Sequence, residues 1–179
     1  MKIEFFFRFL LVIAPLLSFS LSANAVDTEL EDASIISNLL KYTHGENRPP
    51  HKMAVLFNPD SADSKTEAES FLKDIMASSD AKKTRIEASL VPINELEGKS
   101  EFNSAYIANG LKEHQNTIYE FAKSNKVLTL SLDMACAMTD CCVIAIENGP
   151  SINIYLNEKN LAAFGLNVDA AFKLMVKRV

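Results

Sequence analysis

Tryptophan is absent from this chain of 179 residues, and glycine, cysteine and histidine are scarce, with five, three and three residues. The glycines stand singly, so the sequence offers no glycine-rich loop to cradle a phosphate group. None of the histidines, His44, His51 and His114, belongs to a metal-binding or nucleophile motif, and we expect each to lie on the surface or in a loop. No serine occupies a nucleophile elbow. These absences favour a protein that is not an enzyme and that uses no cofactor.

Positive charge is also in short supply. Lysine and arginine together number 18, against 23 aspartates and glutamates, which gives a formal net charge of −5. The basic residues are scattered singly or in pairs such as Lys82 and Lys83, and they form no patch. Because nucleic-acid binding depends on concentrated positive charge, we expect no nucleic-acid partner.

Long apolar runs are limited to one, Phe9–Leu21. Lys2 and Arg8 precede this run, and the small residues Ala23 and Ala25 follow it, which is the pattern of a secretory signal peptide. The run is too short to span a bilayer comfortably, since a spanning helix needs about 20 apolar residues. We predict cleavage after Ala25; the alternative is that the segment stays on the chain as an amino-terminal anchor.

The predicted division is a signal peptide at residues 1–25 and one domain at residues 26–179, exported to the periplasm. Without the first 25 residues the chain has a formal charge of −6. No second apolar run approaches spanning length, so the cleaved product is expected to make no direct membrane insertion.

The spacing of apolar residues predicts an alternation of helices and strands. Helices are predicted over Thr28–Thr43, Ser64–Ala77, Leu111–Asn125, Glu158–Phe164 and Asp169–Lys177, and strands over Met53–Phe57, Arg85–Pro92, Phe102–Ala108, Val127–Ser131, Cys142–Glu147 and Ile152–Leu156. We expect Ser64 to cap the second helix with Glu67 three residues later, Met76 to belong to its apolar stripe, and Leu174 and Met175 to face the core.

This order predicts a single three-layer α/β domain. Strands that alternate with helices build a mostly parallel sheet with flanking helices. The turn residues Asn148-Gly149-Pro150-Ser151 join the last two predicted strands, which makes them a C-terminal antiparallel hairpin.

All three cysteines lie within seven residues, at Cys136, Cys141 and Cys142. In an oxidising compartment a disulfide is expected here. The adjacent Cys141 and Cys142 can pair with each other only through a strained ring, so Cys136 should pair with one of them, and we favour Cys142. Three buried thiols are the alternative, and a zinc site lacks a fourth ligand nearby. If Cys136 pairs with Cys142, Cys141 is left as a buried thiol, a reactive thiol or an intermolecular link.

Both halves of the predicted domain have a distinctive order of segments. The first half offers an opening helix that includes Ala33–Tyr42, a proline-containing loop and an apolar strand. The second half offers the strand Val127–Ser131, a cysteine-bearing turn, the hairpin Cys142–Leu156 and the segment Asn157–Leu166. This order resembles the YfiR-like family of periplasmic regulatory proteins, and the last segment is similar to that family's I-N-L-x-x-A-x-x-A-G-L ending. Two features depart from the pattern: the tryptophan-proline pair after the first helix is absent, and Asp140-Cys141 replaces a glycine pair.

The resemblance implies a regulatory function. The best-studied members of that family bind the periplasmic sensing domain of an inner-membrane diguanylate cyclase and hold it inactive. In those proteins a disulfide in the loop corresponding to Cys136–Cys142 supports the fold. The implied partner is therefore the periplasmic domain of an inner-membrane signalling protein, and the implied role is repression of cyclic-di-GMP signalling.

A second resemblance gives a competing function. Val55–Pro59, followed by the helix that starts near Ser64, looks like one lobe of the type I periplasmic solute-binding proteins. Such proteins close two lobes over a ligand, so one lobe would need to form a homodimer to act as a clamp. Tyr106, Asn109 and Tyr155 are candidates to line a pocket, although such residues are common at strand ends. A purely structural envelope protein is a third, less favoured hypothesis.

Overall fold

The structure is a computed structural model that describes residues 25–44 and 50–179. Residues 1–24 of the predicted signal peptide, including Ala23, lie outside the described residues, and Ala25 is the first residue of the first helix. The described residues form α1 (Ala25–His44), α2 (Ala62–Ala77), α3 (Ser79–Thr84), α4 (Gln115–Asn125), α5 (Met134–Ala137), α6 (Glu158–Ala163) and α7 (Ala170–Met175). They also form β1 (His51–Phe57), β2 (Ile86–Pro92), β3 (Ser104–Ile107), β4 (Leu128–Ser131), β5 (Ile144–Glu147), β6 (Asn153–Leu156) and β7 (Lys177–Arg178).

The strands build one seven-stranded sheet in the order β2-β1-β3-β4-β5-β6-β7. The first five strands in this order are parallel, β6 is antiparallel to β5, and β7 is parallel to β6. The predicted α/β class, with a mostly parallel sheet and an antiparallel hairpin, is confirmed.

The central strands are buried on both faces. Every residue of β3 and β4 is buried, and in β1 only Lys52 is exposed. Strands of this kind read as continuous apolar runs because helices cover both sides of the sheet. The unbroken apolar run Met53–Phe57 therefore predicts β1 correctly.

Helices lie on opposite faces of the sheet. The chain moves one way along the sheet from β1 to β2 and the other way from β3 to β4, so right-handed crossovers put α2 and α4 on different sides. α1 packs against α2 and α3, and Tyr42 of α1 stacks on Phe172 of α7 with ring centroids 6.1 Å apart. On the other side, Tyr119 of α4 meets Phe164, just after α6, edge-on at 5.4 Å. The result is the three-layer domain expected from the sequence.

The predicted end of the chain was wrong in two respects. The last helix stops at Met175, and the next residues are extended to pair with β6 as β7. Leu174 and Met175, predicted to face the core, are 88% and 58% exposed, whereas Phe172 is fully buried. Leu174, two positions beyond Phe172, lies roughly 200° around the helix from it and therefore faces away from the core. Met175 is only about 60° from Phe172, but it is the last residue of the helix.

The predicted start of α2 was also wrong. Ser61 caps the helix, accepting a hydrogen bond from the Ser64 backbone N–H at 3.3 Å. Asn58 forms a tight turn in which its Oδ1 accepts from the Asp60 N–H at 3.0 Å, so the helix begins earlier than Ser64. Ser64 is buried in the first turn and accepts from the Asn58 N–H at 3.0 Å. Met76, at the other end of α2, is 64% exposed.

Hydrogen bonds tie the carboxyl ends of β1 and β3 together at Gly110. Asn58 Nδ2 donates to the Gly110 carbonyl at 3.3 Å. Gly110 has φ of +81°, and a Cβ at this position would lie 3.4 Å from the Cβ of Ser64. Both the backbone conformation and the close approach of α2 therefore favour glycine.

We predict that Gly110→Ala lowers the free energy of unfolding by about 1–2 kcal/mol, because the left-handed backbone becomes strained. Urea denaturation followed by circular dichroism measures this. Gly149→Ala is the matched control: a Cβ there would meet no atom within 4 Å, so the change should stay below about 0.5 kcal/mol. Equal losses in the two variants would contradict the assignment.

Candidate functional site

The strand order places a crevice at the carboxyl edge of the sheet. The chain crosses from β2 on one side of β1 to β3 on the other, so the loops that follow β1 and β3 diverge to opposite faces. In open α/β sheets, ligands bind outside the carboxyl ends of the strands near such a switch point. This edge is the first place to look for a site.

A cavity of about 170 Å³ lies at this edge, beyond the ends of β3 and β4. We call it the carboxyl-edge pocket. Its lining residues come from the loop after β3, the turn before α4, the end of β4, α5 and the cysteine loop: Ile107, Ala108, Asn109, Gly110, Leu111, Lys112, Gln115, Ser131, Asp133, Ala135, Cys136, Thr139 and Cys141.

Charges of both signs line the pocket above a mostly apolar floor. Lys112 and Asp133 are exposed, and Gln115 is partly buried. Asp133 caps α5, with Oδ1 accepting from the Ala135 N–H at 2.9 Å. Ser131 is already used within the fold, because its Oγ donates to the Ile107 carbonyl at 2.9 Å. Lys112 and Asp133 are thus the charged groups that the pocket offers to a ligand.

Glu67 of α2 holds the loop after β3 from the side. Its Oε1 accepts from the Tyr106 hydroxyl at 2.7 Å, and its Oε2 accepts from the Asn109 backbone N–H at 3.0 Å. Tyr106 is fully buried and stacks on Phe71 with ring centroids 3.7 Å apart. Burial, together with the Glu67 carboxylate, raises the pKa of Tyr106 well above its usual range, so the hydroxyl remains a donor. The Glu67 carboxylate thereby fixes the backbone at Asn109, in the loop that lines the pocket.

A second cavity, the acidic groove, lies on the other side of Glu67. It has a volume of about 420 Å³ and is lined by Asp32, Asp63, Thr66, Glu67, Ser70, Phe71, Asp74, Tyr106 and Leu132. Two of its carboxylates already serve the fold: Asp32 accepts from Asn148 Nδ2 at 2.7 Å, and Glu67 makes the two bonds described above. Although the groove is larger, the carboxyl-edge pocket lies beyond the carboxyl ends of β3 and β4 and carries both signs of charge.

The three cysteines form a buried cluster of free thiols beside the carboxyl-edge pocket. The Sγ atoms of Cys136 and Cys141 are 3.8 Å apart, whereas Cys142 Sγ lies 3.1 Å from the Ile144 carbonyl. The contact with Cys136 and burial raise the pKa of the Cys141 thiol far above its usual range, which keeps it protonated at neutral pH. The Cys136–Cys142 disulfide stays a prediction, with Cys141 as the competing partner that the geometry offers.

The predicted pocket residues are only partly brought together. Asn109 lines the carboxyl-edge pocket, and Tyr106 lines the acidic groove. Tyr155 lies elsewhere on β6, where its hydroxyl donates to Glu147 Oε2 at 3.1 Å. His51, expected in a loop or on the surface, is 6% exposed as the first residue of β1.

Sequence reasoning missed the residues that give the pocket its charge. Lys112 and Asp133 each follow a buried strand within a few residues. Because the carboxyl ends of parallel strands meet at one edge, position after a strand was the available signal. Glu67 was missed because its place near a helix start suggested capping, and its contacts with Tyr106 and Asn109 span 39 and 42 residues.

Two other kinds of site are absent from the part of the chain that the structure describes. No group of three or more His, Cys, Asp and Glu side chains is arranged to hold a metal ion. No described helix has the length and apolar character needed to cross a membrane.

Comparisons with known proteins show the fold. No protein-family model and no curated protein matches the chain. A conserved domain protein from Vibrio cholerae superposes with a TM-score of 0.64 and 10% sequence identity, covering 82% of this chain and 59% of that chain. An ABC domain from Streptococcus pneumonia, solved in complex with L-Trp, superposes with a TM-score of 0.60 and 13% identity, covering 82% of this chain and 60% of that one. The chain thus spans about three fifths of the length of each of these solved structures.

We predict that Glu67→Leu lowers the free energy of unfolding by about 1–3 kcal/mol, because the buried Tyr106 hydroxyl loses its acceptor. Chemical denaturation of both proteins at neutral pH checks this. Glu69→Gln on the same helix is the matched control: Glu69 is 53% exposed and 3.8 Å from Lys65, so its loss should change stability by less than about 0.5 kcal/mol. A Glu67 variant as stable as the control would overturn the proposed role of the carboxylate.

Proposed function

We propose that this chain is a non-enzymatic binding module whose carboxyl-edge pocket holds a small zwitterionic molecule of the amino-acid class. The observation that carries the proposal is that Lys112 and Asp133, which have opposite charges, line the same pocket above an apolar floor. Lys112 would bind a ligand carboxylate, and Asp133 would bind a ligand ammonium group.

The remaining lining suits the rest of such a ligand. Ile107, Ala108 and Leu111 are buried and give an apolar floor for a side chain. Specific pockets for small molecules combine a mainly apolar lining with a few placed polar groups. The structure solved with L-Trp supports the proposal, since a chain of similar fold is named for an amino-acid complex.

Pockets that bind small molecules usually have volumes of about 300–1,000 Å³. The carboxyl-edge pocket is smaller than this, and it is open to solvent. A second copy of the chain facing the same edge would enclose the ligand, as two lobes do in longer binding proteins. We therefore propose a homodimer as the closed form, in the periplasm after cleavage of residues 1–25.

Charge-neutralising variants test the pocket. We expect at least one of the twenty L-amino acids to raise the melting temperature of the wild-type protein, because a ligand bound only by the folded state stabilises it. Asp133→Asn and Lys112→Gln should each weaken that ligand at least about tenfold by isothermal titration calorimetry, since each removes a charge-assisted contact. Asparagine caps a helix as well as aspartate does, so Asp133→Asn spares α5.

Lys73→Gln, on the exposed part of α2, is the control and should bind like the wild type. If no amino acid shifts the melting temperature, or if all three variants bind equally well, the amino-acid proposal is wrong.

A second candidate function is the regulatory one implied by the YfiR-like resemblance. The observation that favours it is the exposure of Leu174 and Met175 on α7, a helix held in place by the buried Phe172. Exposed apolar side chains of this size are candidates for a protein interface. The proposed partner is the periplasmic domain of an inner-membrane signalling protein, such as a diguanylate cyclase.

For this candidate we predict that the mature protein recovers a membrane cyclase from solubilised membranes, and that Leu174→Asp with Met175→Asp removes the recovery. Two buried aspartates would have to be desolvated in the interface, which is costly. Lys173→Gln on the same helix should leave recovery unchanged. The regulatory function is rejected if deletion of the gene leaves the cyclic-di-GMP level unchanged.

A further inference from the structure

One wall of the carboxyl-edge pocket is an irregular loop. Thr139 and Cys141 lie in the segment between α5 and β5, and both line the pocket. The loop donates back to α5, since the Thr139 N–H and hydroxyl both bond to the Cys136 carbonyl, at 3.1 Å and 2.7 Å. Because the donors of Thr139 are used in this way, the carbonyl groups of the loop need hydrogen-bond donors from other parts of the chain.

Two asparagine side chains of the β6–α6 junction supply these donors. Asn160 Nδ2 donates to the Thr139 carbonyl at 2.9 Å and to the Cys142 carbonyl at 2.8 Å. Asn157 Nδ2 donates to the Ala137 carbonyl at 2.9 Å and to the Thr139 carbonyl at 3.3 Å. The two amides thus hold two carbonyl groups of the loop and the last carbonyl group of α5, from residues 18 to 21 positions later in the chain.

The base of this arrangement is itself fixed. The Asn157 N–H bonds to the Val143 carbonyl at 2.8 Å, and its Oδ1 caps α6 by accepting from the Asn160 N–H at 2.9 Å. Leu161 and Phe164 bury the same helix against the core. A displacement that carries the loop away from this base must break the amide hydrogen bonds.

Burying the Asn160 amide has a cost that helix capping does not explain. Asn160 is fully buried, and its Oδ1 has no hydrogen-bond partner among the described residues. An unsatisfied buried acceptor is unfavourable. The gain that offsets it is the pair of bonds from Nδ2, both of which go to the loop.

We infer that Asn157 and Asn160 are positioning residues that hold Thr139 and Cys141 in the wall of the carboxyl-edge pocket. The inference rests on the proposed function for the ligand, but the position of the wall is measurable without one. Cys141 is the natural reporter, because its buried thiol reacts only when the loop opens.

The test is the rate at which iodoacetamide alkylates Cys141 in the freshly reduced protein, followed by peptide fragmentation that separates Cys141 from Cys142. Asn160→Ala should speed alkylation at least about tenfold, because two hydrogen bonds to the loop are lost. Asn157→Asp keeps the cap on α6 but loses the amide donor, and it should also speed alkylation. Both variants should weaken binding of the L-amino acid that stabilises the wild type most in the panel of twenty.

Asn103→Ala is the matched control. Asn103 is partly buried before β3, with an unpartnered buried Oδ1 among the described residues and Nδ2 donating to the Pro50 carbonyl at 3.4 Å. It should lower the melting temperature without a selective gain in Cys141 alkylation. If the Asn160 and Asn157 variants lose stability while Cys141 reacts at the wild-type rate, the amides only support the fold and the inference is wrong. If Cys141 alkylation accelerates but no amino acid binds the wild type, the proposed ligand fails and the positioning role stands.

Discussion

Burial of the three central strands on both faces is the constraint on which the rest of the structure depends. β1, β3 and β4 have almost no exposed side chain, so helices must cover each side and the polar groups of the chain collect at the strand ends. The carboxyl edge is where these polar groups gather. There the Asn58 turn, the Glu67 carboxylate and the Asp133 cap each satisfy backbone donors that the buried sheet leaves open.

The candidate site is a product of this arrangement. Apolar strand ends give the pocket its floor, and the loops that leave them carry Lys112 and Asp133 to its rim. Two supports from distant parts of the chain hold the loops: Glu67 from α2 on one side, and the asparagine pair at the start of α6 on the other. The Cys141 thiol in the wall of the pocket is buried, and its contact with Cys136 and its burial raise its pKa, so it offers no thiolate there at neutral pH.

The sequence predicted the fold well wherever one local rule acted alone. β1 was found from an unbroken apolar run, and the β5–β6 hairpin was found from its turn residues. Prediction failed where a contact distant in sequence decided the outcome. Leu174 is exposed because Phe172, which stacks on Tyr42 from the first helix, occupies the buried face of α7. The start of α2 was missed for a local reason, since the turn at Asn58 places the cap at Ser61. The site was mostly hidden because Glu67 and Asn160 act on loops many residues away.

The Glu67 carboxylate also contacts residues that line two different cavities. One oxygen faces Tyr106, which lines the acidic groove, and the other holds Asn109, which lines the carboxyl-edge pocket. The two hydrogen bonds use different oxygens of one carboxylate, so a shift of the Asn109 backbone that turns this carboxylate also changes the acceptor of the Tyr106 hydroxyl. The walls of the two cavities therefore depend on a single side chain.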